Sequence, residues 1–289
     1  MLLATLSLFW GLNWPAMKLA LTEIEPWTFR ALCVTAGSAG LLTLARLRGR
    51  RLGIPRGDRL PLFGAALLNV TVWQILSAFA LTLMGAGRAA IVAYTMPLWA
   101  SLLGLFVLGE RPTSLRLAGL GLGLAGMAAL LAPDWARLQA SPWGAVLMIG
   151  ASLSWAAGTV VQKKVRWQID TMQLTGWQLA LGGLPVLAGM LLFGRPASLA
   201  GLHAPAILGA AYALLIPMIY CQYAWFRVIA LFPAGVAAIG TLAIPVIGVF
   251  SSAALIGEPI GGTELGALGL VTAALFLVLV LPAIKTDRG

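Results

Sequence analysis

The sequence predicts an all-α integral membrane protein of ten transmembrane helices, arranged as two five-helix repeats of inverted topology. Three observations predict it. The 289 residues are 60% hydrophobic and only 10% charged, with a mean hydropathy of +0.94, whereas an ordinary soluble domain carries roughly 25% charged residues. The apolar residues gather in runs of about 20, the length that crosses the hydrocarbon core as a helix. One pattern also returns: Gly87, Ala89, Ala90, Ile91, Pro97, Gly109 and Glu110 reappear 148 residues later as Gly235, Ala237, Ala238, Ile239, Pro245, Gly257 and Glu258. A repeat with an odd number of spans has its ends on opposite sides of the bilayer, so its second copy enters upside down.

The spans follow in order. Residues 2–21 carry Trp10, Asn13, Trp14 and Pro15, with Lys18 expected to snorkel to the interface. This run has no basic leader and is not expected to be a cleaved signal peptide. Residues 27–45 follow Pro26 and carry Arg30 near their start; residues 60–82 carry Asn69, Trp73 and Gln74. Residues 88–108 carry Tyr94, Pro97 and Trp99, and residues 115–132 close the first repeat, 1–132. The second repeat, 142–283, opens with residues 142–162, which hold Trp155. Residues 171–193 hold Gln178 and Pro185, and residues 204–226 hold Pro217, Tyr220, Gln222 and Tyr223. Residues 234–256, with Pro245, and residues 262–282 complete the set. Helices are expected because their backbone polar groups are satisfied internally. A barrel needs alternating segments of about 10 residues, and no such pattern is present. Connections are short and leave little room for a soluble domain.

The net charge of +10 raises the question of nucleic acid, but the positions of the charges point to topology. Alternate connections place Arg46, Arg48, Arg50, Arg51, Arg56, Arg59, Arg111, Arg116, Lys163, Lys164, Arg166, Arg227, Lys285 and Arg288 on one side, 14 of the 19 basic residues. Positive residues of short loops stay cytoplasmic, so both termini are expected in the cytoplasm. The run Arg46–Arg59 is also suited to anionic lipid headgroups. No nucleic-acid partner is expected. Cys33 and Cys221 fall inside spans as small apolar residues and imply no disulfide.

The repeat extends beyond its core pattern. At the same offset Gln74 meets Gln222, Arg30 meets Gln178, and Gly121 meets Gly269; at 145, Trp10 and Lys18 meet Trp155 and Lys163. Weak internal symmetry of this kind marks inverted-repeat secondary transporters, whose sites lie at the repeat interface.

Several of these residues carry a family resemblance. They are Trp10-Gly11-Leu12-Asn13-Trp14-Pro15 with Lys18, Pro26 to Arg30, Ala89 to Pro97, and Gly109-Glu110-Arg111-Pro112. The second copy adds Trp155 with Lys163, Pro245, and Gly257-Glu258-Pro259. Together they resemble the drug/metabolite transporter superfamily, in its ten-span EamA-type branch, and most of all bacterial exporters of aromatic amino acids. The resemblance covers essentially the whole chain. It implies two inverted bundles around a central cavity lined by spans one, three, four, six, eight and nine, with alternating access. It implies export of small metabolites, amino acids first (aromatic or other hydrophobic ones), with other metabolites or drugs as the alternative.

The residues themselves nominate a pathway. Trp10, Trp14, Trp73, Tyr94, Trp99, Trp155, Tyr220 and Tyr223 lie within or near spans, several deeper than the interface that tryptophan and tyrosine favour. Aromatic faces beside the amides of Asn13, Gln74 and Gln222 suit flat or apolar solutes with a polar head. Each ring has packing as its alternative role, and each amide has helix cross-linking. Pro15, Pro97, Pro217 and Pro245 each remove a backbone donor; bent helices that gate a pathway, or static kinks, both follow. Pro97 is expected to disturb the carbonyl of Ala93. Glu110 and Glu258 sit at helix ends as caps or as gating contacts.

All nine acidic residues fall in connections or at span ends, so transport is expected not to depend on a mid-membrane carboxylate. No catalytic residue, metal site or cofactor is expected: the single histidine, His203, cannot build a usual zinc site, and no H-E-x-x-H or G-x-S-x-G motif occurs. A membrane-embedded enzyme or a non-transporting scaffold is the lesser alternative. Two complete halves in one chain predict a functional monomer with a small-molecule substrate and membrane lipid as its partners.

Overall fold

The computed structural model describes residues 2–107, 114–131, 142–195, 199–222, 224 and 234–277. Among these residues the chain is helical throughout, with no strand. The helices are α1 (Leu2–Ala20), α2 (Pro26–Leu47), α3 (Arg56–Ala66), α4 (Trp73–Leu83), α5 (Ala86–Ala93), α6 (Met96–Val107), α7 (Ser114–Leu131), α8 (Trp143–Lys164), α9 (Thr171–Phe193), α10 (Ala204–Leu215), α11 (Ala234–Ile256) and α12 (Gly262–Leu275). Two six-residue π-helical segments interrupt this regularity, and a further π stretch begins at residues 276–277. Leu67–Val72 joins α3 to α4, and Ile216–Cys221 extends α10.

Five stretches among the described residues are long and apolar enough to cross a bilayer: Pro26–Leu47, Arg56–Leu83, Trp143–Lys164, Thr171–Phe193 and Ala204–Cys221. The chain is therefore a membrane protein. Ala243–Ile256 and Gly262–Leu275 are shorter apolar helices. The clear spans are thus fewer than the ten expected. One reason is local. The expected single span over 88–108 is divided, because α5 stops at Ala93 and α6 starts at Met96. Glu110, Tyr223 and the side chain of Pro97 lie outside the described residues.

Side chains fix the starts of two long helices. At α2 the Glu25 carboxylate accepts from the backbone N–H of Trp27 (2.6 Å) and Thr28 (3.1 Å), and Pro26 stands where no N–H is needed. At α9 a capping box closes: Asp170 accepts from the Gln173 N–H (3.0 Å), and the Gln173 side chain accepts from the Asp170 N–H (3.2 Å).

The helices pack in pairs that are distant in sequence. α2 lies on α9, α1 between α10 and α11, α4 on α8, α5 against α8 and α11, and α7 on α12. Lipid is as apolar as leucine, so such packing relies on close fit and small residues rather than on hydrophobic burial. A methyl group on Gly11 would run into Ile247, and one on Gly182 into the Ala66 carbonyl. These two positions let α1 seat on α11 and let α9 seat on the first π segment. Phe29, Leu81, Ile91, Met148 and Ile244 fill the interior, while Leu60, Leu191, Leu192, Phe193 and Leu208 face outward. An outward face this apolar matches hydrocarbon surroundings.

Candidate functional site

Two irregular stretches of backbone come first, because π segments frequently mark functional sites. A π turn leaves carbonyls short of helical donors; in the first segment a serine from another helix supplies one, and side chains of the segment bond outward to α9. Ser154 on α8 donates to the Leu68 carbonyl (2.7 Å). Thr71 donates to the Gly182 carbonyl on α9 (2.6 Å). Asn69 donates to Gln178 Oε1 (3.2 Å), which also accepts from Gln162 (3.0 Å). The second π segment contains Pro217, which brings no N–H of its own. Its Tyr220 shares a hydrogen bond with Thr5 on α1 (2.9 Å) and meets the Phe9 ring edge-on at 5.5 Å. Gln74, one residue into α4, reaches Met218 in this second segment, with Nε2 4.0 Å from the sulfur. Gln222 is half-buried at its end.

The break between α5 and α6 is satisfied in the same way. Ser152 on α8 lies 3.1 Å from the Val92 carbonyl and 3.3 Å from that of Ala93. Thr95 donates back to Val92 (2.6 Å), and the Trp99 indole donates to Thr95 (3.0 Å). Tyr94, at the break, is buried. Pro15 and Pro245, by contrast, sit inside the uninterrupted α1 and α11.

Of the aromatic residues singled out by the sequence, Trp73 and Trp155 meet, with ring centroids 5.1 Å apart at 63°. This edge-to-face geometry is worth about 0.5–1.5 kcal/mol beyond burial. Trp10 packs on the same core cluster as Trp73. Trp14 is buried against α11, where a methyl group on Gly248 would touch its ring at 3.0 Å. Tyr220 belongs to a separate cluster with Leu6 and Phe9.

Arg30 is the residue that sequence reasoning undervalued. Counted there as a basic residue near a span end, it is 2% exposed. It donates to Ser77 Oγ (2.9 Å) and to the Met17 sulfur (3.4 Å), and its guanidinium carbon lies 5.2 Å from the Phe29 ring centre. Asn13 donates to the same sulfur (3.4 Å). Among the described residues no carboxylate pairs with Arg30. Arg30 Nε, Asn13 Oδ1 and Gln74 Oε1 are buried without a partner, as are Asn69 Oδ1, Gln178 Nε2 and Thr272 Oγ1. The available signal was the alignment of a cation with Gln178 inside an apolar run.

Charged residues also tie helix ends together. Lys18 does not simply snorkel: its ammonium donates to the carbonyls of Leu81 and of Met84 (2.8 Å) at the end of α4. Glu258, between α11 and α12, accepts from the backbone N–H of Ala86 (2.6 Å) and Gly87 (2.8 Å). It therefore caps α5 from a distant part of the chain. Arg88 and Glu264 pair at 2.6 Å beside it. In the turn after α1, Glu23 accepts from the His203 N–H (2.9 Å), which holds its carboxyl below the usual range against slight desolvation. The His203 ring, 3.3 Å away, acts in the same direction.

A groove of about 690 Å³ opens between α11 and α12, lined by Val246, Phe250, Leu265, Leu268, Thr272 and Phe276. None of the expected pathway residues lines it. Among the described residues no cluster of metal-ligating side chains occurs.

Comparison with known proteins adds to this geometry. The family described as EamA-like transporter matches residues 1–132 and again 142–280. The "uncharacterized transporter YvbV" of Bacillus subtilis (strain 168) is 28% identical over 279 residues, 96% of this chain and 90% of its own. The "probable amino-acid metabolite efflux pump" of Salmonella typhimurium (strain LT2) is 27% identical over 285 residues, covering 93% of this chain and 90% of its own. A solved crystal structure shares the fold at a TM-score of 0.67 and 21% identity, over 96% of both chains.

Proposed function

From its membership of the EamA-like transporter family, within the drug/metabolite transporter superfamily, to which the chain belongs, we propose that it exports amino acids, aromatic or other hydrophobic ones first. The route is alternating access between two inverted five-helix repeats, residues 1–132 and 142–283, in a bacterial inner membrane with both termini cytoplasmic. Other small metabolites or drugs are the alternative cargo. The name of the Salmonella relative, an amino-acid metabolite efflux pump, supports the choice of cargo. The paired family matches, and transporter relatives that span the chain's length, favour a transporter over an enzyme.

The observation that carries the proposal is the pair of π segments. Leu67–Val72 and Ile216–Cys221 stand 149 residues apart, almost the offset of the sequence repeat. Non-helical backbone at membrane depth is tolerated where it is buried in protein or lines a cavity. Placing one such stretch in each half, with Gln74 of one reaching Met218 of the other, is the arrangement expected of a site at a repeat interface. The Trp73–Trp155 pair lies one residue from Gln74 and offers ring faces to an apolar side chain.

The test is counterflow of labelled amino acids into proteoliposomes, comparing the chain with Trp10→Ala, Trp155→Ala and Gln222→Ala. Loss of flux in folded variants supports the pathway assignment. Unchanged flux in all three removes it, and absence of flux for every amino acid removes the cargo.

A further inference from the structure

An ionisable group inside a membrane protein is a functional candidate by default, because so costly a group needs a reason to be there. Three other cations among the described residues show how such a group can be settled. Arg50 pairs with Asp170, Arg88 with Glu264, and Lys18 with two carbonyls. Arg30 departs from this pattern. It is more deeply buried than any of them, yet among the described residues its hydrogen-bond partners are all uncharged groups: one hydroxyl, one thioether and the Cys33 thiol. A guanidinium carries five donors in a planar fork. Ser77 uses one, the Met17 sulfur is a weak acceptor for a second, and Nε is left without a partner.

The surroundings hold the complementary shortage. Asn13 Oδ1 and Gln74 Oε1 are buried acceptors with nothing to accept. Asn13 and Arg30 both donate to the same Met17 sulfur, each at 3.4 Å. Ser77, which receives the guanidinium, in turn donates to the Gln74 backbone carbonyl (3.5 Å). So α1, α2 and α4 bring together a cation lacking an anion and two amide oxygens lacking a donor. Met17 is buried in the main core cluster, and its unbranched thioether chain can adapt to a different neighbour.

We propose that Arg30, Asn13 and Gln74 form a binding site for the zwitterionic head of an α-amino acid. The guanidinium receives the carboxylate as a fork, displacing the Met17 sulfur. The oxygens of Asn13 and Gln74 receive the ammonium. An amine without a carboxylate leaves the buried cation unpaired, and an acid without an ammonium leaves the two oxygens unpaired. This assignment rests on amino-acid transport as proposed above and specifies which part of the solute is recognised.

The test uses the full chain in proteoliposomes, with counterflow of labelled phenylalanine and three competitors: phenylalaninamide, phenethylamine and 3-phenylpropionate. Each removes one element of the head. Charge-assisted hydrogen bonds in buried sites predict that every competitor is weaker than phenylalanine by about 10- to 100-fold. Arg30→Met should erase the preference for phenylalanine over phenylalaninamide, while Arg30→Lys keeps part of it. Asn13→Leu with Gln74→Leu should erase the preference over 3-phenylpropionate. Equal competition by the amide in the unsubstituted chain, or an undiminished preference in folded Arg30→Met, overturns the site and leaves transport standing. Absence of flux for phenylalanine and for every other labelled amino acid removes the cargo and this site together. If Arg30→Met fails to fold, as judged by size-exclusion chromatography, the competition series on the unsubstituted chain decides alone.

Discussion

Removing the Glu258 carboxylate is the perturbation whose consequence can be worked most fully. Two backbone N–H groups, of Ala86 and Gly87, end on it at 2.6 and 2.8 Å. A hydrogen bond to a charged group contributes about 1.5–3 kcal/mol, and a negative charge at a helix N-terminus about 0.3–1 kcal/mol when exposed. Glu258 is half-buried, so the low end applies. Glu258→Ala should therefore cost about 2–3 kcal/mol, and Glu258→Gln, which keeps one acceptor, about 1–2 kcal/mol. In detergent this becomes a fall in thermal midpoint of about 4–12 °C for the alanine variant, at roughly 2–4 °C per kcal/mol. The contact also joins the start of α5 to the turn before α12. If that junction is broken during alternating access, 2 kcal/mol shifts the ratio of open to closed forms by about 30-fold. A cysteine introduced as Met84→Cys should then react faster with an impermeant maleimide in the Glu258→Ala background, since native Cys33 and Cys221 are buried. A midpoint within about 1 °C of the parent, together with unchanged labelling, refutes the reasoning.

Further outcomes follow from the same geometry. Ser152→Ala withdraws a donor from the Val92 and Ala93 carbonyls and should lower stability by about 0.6–1.7 kcal/mol, read by unfolding in detergent. Trp155→Phe keeps an aromatic edge for Trp73 and should retain more counterflow than Trp155→Ala, whose loss of the pair amounts to about 0.5–1.5 kcal/mol. Because its folded-state carboxyl lies below the ordinary range, Glu23 contributes stability above the unfolded-state value and loses it as pH falls through the folded one. Unfolding followed from pH 7 into the acid range should therefore be less pH-dependent in Glu23→Gln, and an identical profile counts against the contact with His203.

The helical class was legible from hydrophobic runs and the family from a resemblance carried by the ordered motifs of the two copies, because both are one-dimensional patterns. Gly11 and Gly182 show where legibility stopped. Their role depends on what lies opposite, the Ile247 side chain in one case and the Ala66 carbonyl in the other, and no periodicity reveals that. The division of the stretch 88–108 had only Pro97 as a visible sign, while the donor that satisfies it, Ser152, sits on α8. Arg30 was visible as a residue but not as a buried one. Hydropathy treats an arginine near a run's end as interfacial, and only the positions of α1 and α4 show that it points into the bundle. Lys18 failed for the same reason, since a snorkelling lysine and one that caps a distant helix look alike in sequence.

The irregular points of the early helices share one property: most are completed from the later part of the chain. The Leu68 carbonyl takes Ser154, Thr71 takes the Gly182 carbonyl, and the Val92 and Ala93 carbonyls take Ser152. The start of α5 takes Glu258. A bond of the neutral kind is worth about 0.6 kcal/mol on average in membrane proteins, small enough to exchange during motion. The charged contact at Glu258 is the strongest of the set by the reckoning above. If the two parts move relative to one another as proposed, the Glu258 contact is the costliest of these four to break, whereas the serine contacts can follow by exchange among neighbouring carbonyls. On the proposed mechanism this ordering puts the larger cost at the helix ends, away from the interior that holds Asn13, Arg30 and Gln74.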